Sequence, residues 1–588
     1  MPVATRVKQS SYHDSVTLML AASELLKLPG VLDAAVVMGT AANKQIVANA
    51  GLLTPESASA HPDDLLIIVR SIDATMGVAG LDKAEALLAD RRMQGPEAKE
   101  RRPRSLENAL ANAPGANLAV ISVAGRYATQ EAREAIARGL HVFLFSDNVS
   151  LEDEIALKAL AAQRGLLLMG PDAGTAIING IALGFGNAVP RGPVGLVSAS
   201  GTGLQAVTSG LARAGTGISQ AIGVGSRDLD GQVGGVMTLA GLRALQSDPQ
   251  TKVIVLISKP PGRFVVEKVL GQVRSGEKPA VVCLLGEDPA LIRSAGALAA
   301  TDLTQAATAA AALAMGRDPE EALAELEAQT RDLTPLAGAQ RAKMAPDQTS
   351  LRGLFAGGTF CYEAQLVLRR LGEPIYSNVP LDKALRLRDS TVSMGHTCVD
   401  LGEDEFTVGR LHPMMDNDLR IRRLQQEAED PEVAVILLDV VLGYGAHPDP
   451  AGELAPAIAR ARAAANEAGR YLEVVAVVVG TDEDPQGLAA QVQRLEEAGA
   501  RVETSNDAAV RSIGRLLRAL NPRGASNMQS PIPVDLSVLH QPLAAINVGL
   551  ASFTESLKAQ GALAIQVDWR PPAGGNEKLA AILARMKR

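Results

Sequence analysis

GLVSASGTGLQAV (195–207) and GLFAGGTFCYEAQ (353–365) are built alike. Each opens as an apolar strand, turns at a Gly-Thr pair (Gly201-Thr202 and Gly358-Thr359), and continues with helical spacing. A strand that passes into a helix in this way is the opening unit of a parallel α/β sheet. The likeness extends outward. VGSRDLDGQVGG follows the first stretch and VDLGEDEFTVGR the second, and then come SDPQTKVIVLISKPPG and EDPEVAVILLDVVLGYG. Asp248-Pro249 answers Asp430-Pro431, each ahead of a strongly apolar strand. The chain therefore reads as two copies of one flavodoxin-like unit, 191–315 and 350–520, joined by a charged, Ala-rich helical linker at 316–349.

The same alternation runs toward the N-terminus. VLDAAVVMG (31–39), DDLLIIVRS (63–71), ANLAVISVAG (116–125), LHVFLFSD (140–147) and LLLMG (166–170) are short apolar runs separated by amphipathic stretches. Continuous apolar runs of this length indicate strands buried on both faces. They predict a Rossmann-like, doubly wound domain over 29–190, behind an N-terminal segment 1–28. At the other end, 521–588 reads as irregular linker, then strand, helix, strand and a closing helix. Its brevity makes it an assembly segment that needs a surface to bury against.

Composition removes several function classes. A chain of 588 residues holds about three to five domains. With 47% hydrophobic and 21% charged residues, wholesale disorder is excluded. Aromatics at 3% are too few for base-stacking platforms, and a net charge of −8 with no basic domain argues against nucleic acid and anionic membrane as partners. Cys283, Cys361 and Cys398 are far apart and form neither a disulfide framework nor a zinc motif. No apolar run reaches membrane-spanning length and the first residues lack a signal-peptide core, so a cytoplasmic protein is expected.

The chemistry concentrates at the Gly-Thr turns. Glycine allows close backbone approach, and the helix start behind it offers free N–H groups and a positive dipole end. Either turn alone is an ordinary βα connection. As a related pair, Ser200, Gly201, Thr202 and Gly203 with Gly357, Gly358 and Thr359 form a candidate phosphate or carboxylate cradle. Lys259 follows a buried strand at its carboxyl end, where α/β ligand sites gather. In the loop of the first repeat, Arg227 and Asp228 are substrate-binding candidates. The densest polar cluster, 393–416, supplies the catalytic candidates Arg410, His412 and His396. The His396–Cys398 spacing is not that of a metal site, and no metal is expected. Cys361, just inside a helix start, reads as a small core thiol rather than a nucleophile.

GPDAGTAI (170–177), SASGTG (198–203), GSRDLDGQVGG (225–235), SKPPG (258–262) and DLGEDEFTVGRLHPMMD (400–416) together resemble the FdrA family along nearly the whole chain. Over about residues 30–310 the chain is also similar to the α subunit of succinyl-CoA synthetase. The resemblance implies a CoA-binding-type Rossmann domain followed by two ligase-type domains. It also implies two opposed helix N-termini at a phosphoryl site, here Ser200-Gly201-Thr202 and GGTF (357–360). FdrA-type chains imply a subunit of oxamate carbamoyltransferase, interconverting oxalurate plus phosphate with oxamate plus carbamoyl phosphate in ureide breakdown. They also imply partner carbamoyltransferase subunits in a hetero-oligomer. Phosphate and carbamoyl phosphate are then substrates. Two departures stand out. GEDPALIRSAGALAATDL (286–303), which matches the synthetase's phosphohistidine loop, has no His. MGTAANK (38–44) lacks the Gly-rich run that would hold CoA, so CoA binding rests on fold alone. An acyl-CoA synthetase-like subunit and a non-catalytic scaffold are the alternative readings.

Overall fold

The computed structural model describes residues 2–9, 11, 13, 15–40, 43–44, 47–48, 50–90, 105–123, 125–330, 334–370, 372, 374–407, 411–520, 544–548, 558 and 563–567. The chain divides into two compact units, Met1–Ala525 and Ser526–Arg588, each described by itself.

The N-terminal part departs from the sequence reading. Strands β1 (Val3–Lys8), β2 (Val31–Met38) and β3 (Leu65–Ser71) form their own antiparallel sheet in the order β1-β3-β2. The expected Rossmann domain over 29–190 therefore does not exist as one sheet, and the expected N-terminal segment 1–28 is part of the antiparallel one. It supplies β1 and the Ser15–Leu26 helix. The reason lies in β3, whose two faces are both covered. Leu65, Ile67 and Val69 pack with helix residues Leu18, Leu25 and Leu81, and Leu66 and Ile68 pack with Val47 and Leu52. A strand buried on both sides reads as a continuous apolar run whichever way its neighbours point.

A second small sheet is parallel, as expected: β4 (Leu118–Ile121), β5 (His141–Leu144) and β6 (Leu168–Met169). The two ligase-type units follow. β7 (Thr175–Ile178) and β8 (Ile181–Gly184) form a hairpin that joins the first unit's sheet. That sheet continues with β9 (Arg191–Ser198), β10 (Ile218–Gly223), β11 (Val253–Ser258), β12 (Ala280–Leu284) and β13 (Leu298–Ala299), in the order β13-β12-β11-β9-β10-β7-β8. The linker carries two helices, Pro319–Thr330 and Thr334–Arg341. The other unit has β14 (Ser350–Phe355), β15 (Ile375–Ser377), β16 (His396–Asp400), β17 (Val433–Val441), β18 (Glu473–Val479) and β19 (Arg501–Glu503), in the order β15-β16-β14-β17-β18-β19.

The internal repeat is thus visible in the topology. β13-β12-β11-β9-β10 and β19-β18-β17-β14-β16 run in the same order, with all neighbours parallel. Asp248 and Asp430 end equivalent helices and turn the chain into β11 and β17. The repeats share one core, in which Leu204, Val207 and Leu211 pack in the same cluster as Phe360, Ala364 and Leu368. Polar contacts seal it. Glu363 accepts from Leu303 N–H (2.9 Å) and Asn506 Nδ2 (2.8 Å), and the Thr304 and Ser505 hydroxyls meet at 2.7 Å. Burial, with Asp302 and Asp507 adding to it, pushes Glu363 up to about 8.

In the C-terminal unit, β20 (Ala544–Val548) and β21 (Leu563–Val567) pair in parallel.

Two stability predictions follow from buried charge. Lys158 is fully buried, with Nζ 2.7 Å from Glu154 Oε1 and 2.8 Å from Asp228 Oδ1. Lys158→Met leaves buried Asp228 without its cation and Glu154 with Arg227 alone, and should cost about 3–5 kcal/mol, measurable by denaturant titration. Glu363 is protonated in the folded state well above its ordinary 4.5. Its contribution is complete below that value and is lost as pH rises through about 8. Wild-type melting temperature should therefore fall between pH 5 and 8.5, and Glu363→Gln should flatten that slope; an unchanged slope would remove Glu363 as its source.

Candidate functional site

The helices Gly201–Arg213 and Gly358–Arg370 start at the carboxyl ends of β9 and β14, and the shared core brings their first turns together. Ser200 Oγ lies 2.5 Å from Thr359 Oγ1. A Cβ on Gly357 would fall 2.4 Å from Thr202 Cγ2, so only glycine permits this approach. Two positive helix ends meet here, one from each repeat.

The local hydrogen bonds sort the predicted cradle. Gly203 N–H donates to Ser200 Oγ (2.9 Å), the N-cap of its helix, and is already satisfied. Ala356 and Gly357 N–H donate to the two oxygens of buried Asp439 (2.7 and 2.9 Å). Arg420 bonds Asp439 in turn, at 3.3 Å to Oδ1. Gly203 and Gly357 therefore shape the cradle without offering N–H groups to a ligand. The N–H groups of Gly201, Thr202, Gly358 and Thr359 have no partner among the described residues. These four, with the Ser200 and Thr359 hydroxyls, are what remains for an anion.

Charged groups surround the opening. A Cβ on Gly358 would sit 2.2 Å from Asp400 Oδ2 and 3.2 Å from Lys259 Nζ, so both reach the second helix start. Asp400 ends β16, its N–H bonded to Asn378 Oδ1 (2.9 Å) and its Oδ1 accepting from Gly402 N–H (3.0 Å). Burial raises its carboxyl to about 7, against the opposing pull of Lys259 and with Glu403 adding to the rise. His412 stacks near Phe185, with ring centroids 5.3 Å apart. Its Nδ1 accepts from Met414 N–H (3.2 Å), which leaves the ring proton on Nε2, beside Gly402 and Asp400. Loss of water and the nearby Arg420 lower it to about 4, so at neutral pH His412 is an uncharged hydrogen-bond donor. Asp172 accepts from Ser226 Oγ (2.7 Å) and lies within electrostatic reach of Asp147, Asp404 and Lys259.

Several sequence candidates lie elsewhere. His396 begins β16, four residues and about 13 Å of strand from Asp400, and its Nδ1 accepts from Leu351 N–H (3.2 Å). It is therefore far from the cradle. Asp228 is fully buried. It caps the Val236–Ser247 helix through Met237 and Thr238 N–H (3.2 and 2.8 Å) and pairs with Lys158. Arg227 pairs with Glu154 at 2.9 Å. Asp228 is thus a framework residue, whereas the Arg227 side chain is partly exposed, held also by the Val149 carbonyl (2.8 Å). Arg410 lies outside the described residues. Cys361 is buried and its thiol is pushed up, despite its place in a helix first turn. Asp400 belongs to the polar cluster 393–416 without a role assigned from sequence, and Asp439 and Asp172 are new from the structure. The usable signals were the carboxyl-end position that drew attention to Lys259, and a lone carboxylate inside VAVILLDVV (433–441).

A model of the CoA-ligase family matches residues 354–516. Over 510 residues the chain is 44% identical to YahF, an uncharacterized protein of Escherichia coli (strain K12), covering 86% of this chain and 97% of that one. The chain belongs to one family with YahF, and residues 354–516 are its CoA-ligase domain. Residues 1–103 match a model described as AllF, heavy metal-associated domain. That segment contains no Cys, and among the described residues no group of three or more His, Cys, Asp or Glu side chains could hold a metal ion, so it does not fit a thiolate-held ion. The chain is 27% identical over 225 residues to subunit alpha 1 of succinate–CoA ligase [ADP-forming] from Archaeoglobus fulgidus, 38% of this chain and 75% of that one. The solved dinucleotide-forming acetyl-coenzyme A synthetase 1 of Ca. Korarchaeum cryptofilum, with phosphate and ADP, is 18% identical at TM-score 0.29, covering 71% of this chain and 85% of that one. Among the described residues no helix is long and apolar enough to cross a membrane.

The cradle makes a direct prediction. Gly358→Ala puts a methyl group where Asp400 and Lys259 converge, so phosphate binding measured by calorimetry should weaken at least tenfold. Retained affinity would place phosphate elsewhere.

Proposed function

We propose that this chain acts on an acyl phosphate of the carbamoyl type, as a subunit that interconverts oxalurate plus phosphate with oxamate plus carbamoyl phosphate. The observation that carries the reading is the pair of facing helix starts, with four N–H groups that have no partner among the described residues and Lys259 beside the second start. Fixed dipoles of this kind stabilise phosphoryl charge without reorganising. The FdrA-type resemblance supports the carbamoyl reading.

In the forward direction, a phosphate oxygen adds to the ureido carbonyl carbon of oxalurate. The C–N bond to the oxamate nitrogen then breaks, and the proton of the entering hydrogen phosphate ends on that nitrogen. Atoms and charge balance without nucleotide or redox partner. Asp400, raised to about 7, is suited to relay this proton. His412 Nε2–H, held neutral, donates a hydrogen bond near the same point. The absence of His from 286–303 fits direct phosphorolysis rather than a phosphohistidine relay. CoA and partner subunits enter this reading only as proposals: fold alone supports the first, and FdrA-type assemblies the second.

The test is assay of the full chain with co-expressed partner subunits, following carbamoyl phosphate from oxalurate and, in parallel, acyl-CoA from acid, ATP and CoA. Carbamoyl phosphate is the expected product. Acyl-CoA alone would replace this reading with the ligase one, and neither product would favour the scaffold. Asp400→Asn should cut turnover about 10²–10⁴-fold with little change in melting temperature. Full turnover in that variant would remove Asp400 from the proton path.

A further inference from the structure

Asp172 stands beside the opening and takes no part in the cradle. It lies in the loop 170–174, between β6 and β7. Asp172 N–H donates to the Ser146 carbonyl (3.0 Å) and Ala173 N–H to the Leu144 carbonyl (3.3 Å), so the loop is pinned at the carboxyl end of β5. On its other side, a Cβ on Gly201 would fall 3.7 Å from Gly174 Cα, which puts the loop against the first helix start. The small parallel sheet thereby brings a carboxylate to the site that the two repeats build.

Three observations mark this residue. Its φ is +56°, a left-handed conformation that strains a residue with a Cβ. The residue is exposed, yet loss of water raises its carboxyl to about 6, with Ser226 and Lys259 opposing the rise and Asp147 and Asp404 adding to it. An acid that is open to solvent but poorly hydrated lies in a cleft. Finally, Oδ2 accepts from Ser226 Oγ (2.7 Å), whereas Oδ1 has no hydrogen-bond or ion-pair partner among the described residues. Lys259 links Asp172 to the cradle, because it acts on Asp172 and also reaches Gly358. A carboxylate near a bound phosphate repels it, so its use lies with another part of the substrate. When ionised it only accepts hydrogen bonds, and it therefore selects a donor. In oxalurate and carbamoyl phosphate the carbon under attack carries an NH2 group. In the acyl phosphate of a carboxylic acid that place is taken by carbon, which donates nothing.

We propose that Asp172 is a specificity residue for the carbamoyl group: its Oδ1 accepts a hydrogen bond from the NH2 on the reacting carbon, while Ser226 fixes the other oxygen. This rests on the carbamoyl reading above and names how the same site separates carbamoyl from acetyl-type phosphates. A site built to receive a substrate N–H leaves a polar group unpaired when the analogue lacks it, which is a stronger rejection than shape alone gives.

Two stable phosphonates, phosphonoacetamide and acetonylphosphonate, differ only in NH2 against CH3 on the carbonyl carbon. Calorimetric titration of the full chain with each, at about pH 7.5 where Asp172 is ionised, tests the proposal. Phosphonoacetamide should bind about tenfold or more the tighter. Asp172→Gly removes the carboxylate and suits the left-handed backbone. In that variant the preference should fall below about twofold, while inorganic phosphate binds no more weakly than before. Equal binding of the two phosphonates by the wild type, or a preference that survives Asp172→Gly, overturns the inference and leaves the carbamoyl reading standing. Loss of inorganic phosphate binding in Asp172→Gly would make the residue structural and overturns it equally. Failure of both phosphonates to bind the wild type, with inorganic phosphate bound, removes the carbamoyl reading and this inference together, so the two failures are told apart.

Discussion

Two helix starts of the same sign, pressed together at the Ser200–Thr359 contact of 2.5 Å, set the terms for the rest of the molecule. Positive dipole ends facing one another are unfavourable unless negative charge lies close by. The protein supplies part of that charge itself. Asp439 takes the N–H groups of Ala356 and Gly357 and is balanced by Arg420, while Asp400 stands at the opening. What these carboxylates do not satisfy, the four N–H groups of Gly201, Thr202, Gly358 and Thr359, is left for an incoming anion. The large apolar interface makes the arrangement possible, because a core shared by both repeats holds the helix ends where they would not stay alone.

The cradle was legible in the sequence because it rests on backbone. A Gly-Thr turn after an apolar strand has few geometries, and an internal repeat states the same geometry twice. The position of Lys259 beside the second helix start follows from the same logic, its place at a strand's carboxyl end. The side chains that tune the site were harder to read. Asp400, His396 and Cys398 share one short strand, and only the direction of that strand decides which end faces the ligand. Arg227 and Asp228 looked like binding residues because a charged loop near a Gly-rich turn often is one. Their actual partners, Glu154 and Lys158, lie some seventy residues away in sequence on a helix whose charged face gave no sign of being buried.

The N-terminal misreading has a different cause. Strand alternation reports how many faces are covered, and pairing direction leaves almost no mark on it. β3 is central to a three-stranded antiparallel sheet with helical cover on one face and residues 47–60 on the other, so it carries the same unbroken apolar run as a parallel core strand. Strand β1 held the better clue. Its pattern, VATRVK, is partly exposed along its length, as suits the edge position it takes in the sheet.

The two titratable groups at the opening illustrate how one environment separates roles. Burial disfavours charge on both, raising Asp400 to about 7 and lowering His412 to about 4. At neutral pH the carboxyl can give or take a proton, whereas the imidazole can only donate a hydrogen bond through Nε2. A cradle for phosphate gains from this division. A charged His412 would add a cation that competes with Lys259 for the anion's position, and a fully ionised Asp400 would repel the anion. In the proposed reaction the neutral ring and the half-protonated acid would leave the helix starts and Lys259 to hold the phosphate, and would leave Asp400 free to move its proton. Both side chains reach the opening through glycine: Asp400 against Gly358 and Gly402, His412 against Gly402. Side chains at those two positions would separate the acid and the imidazole from the helix start that they serve.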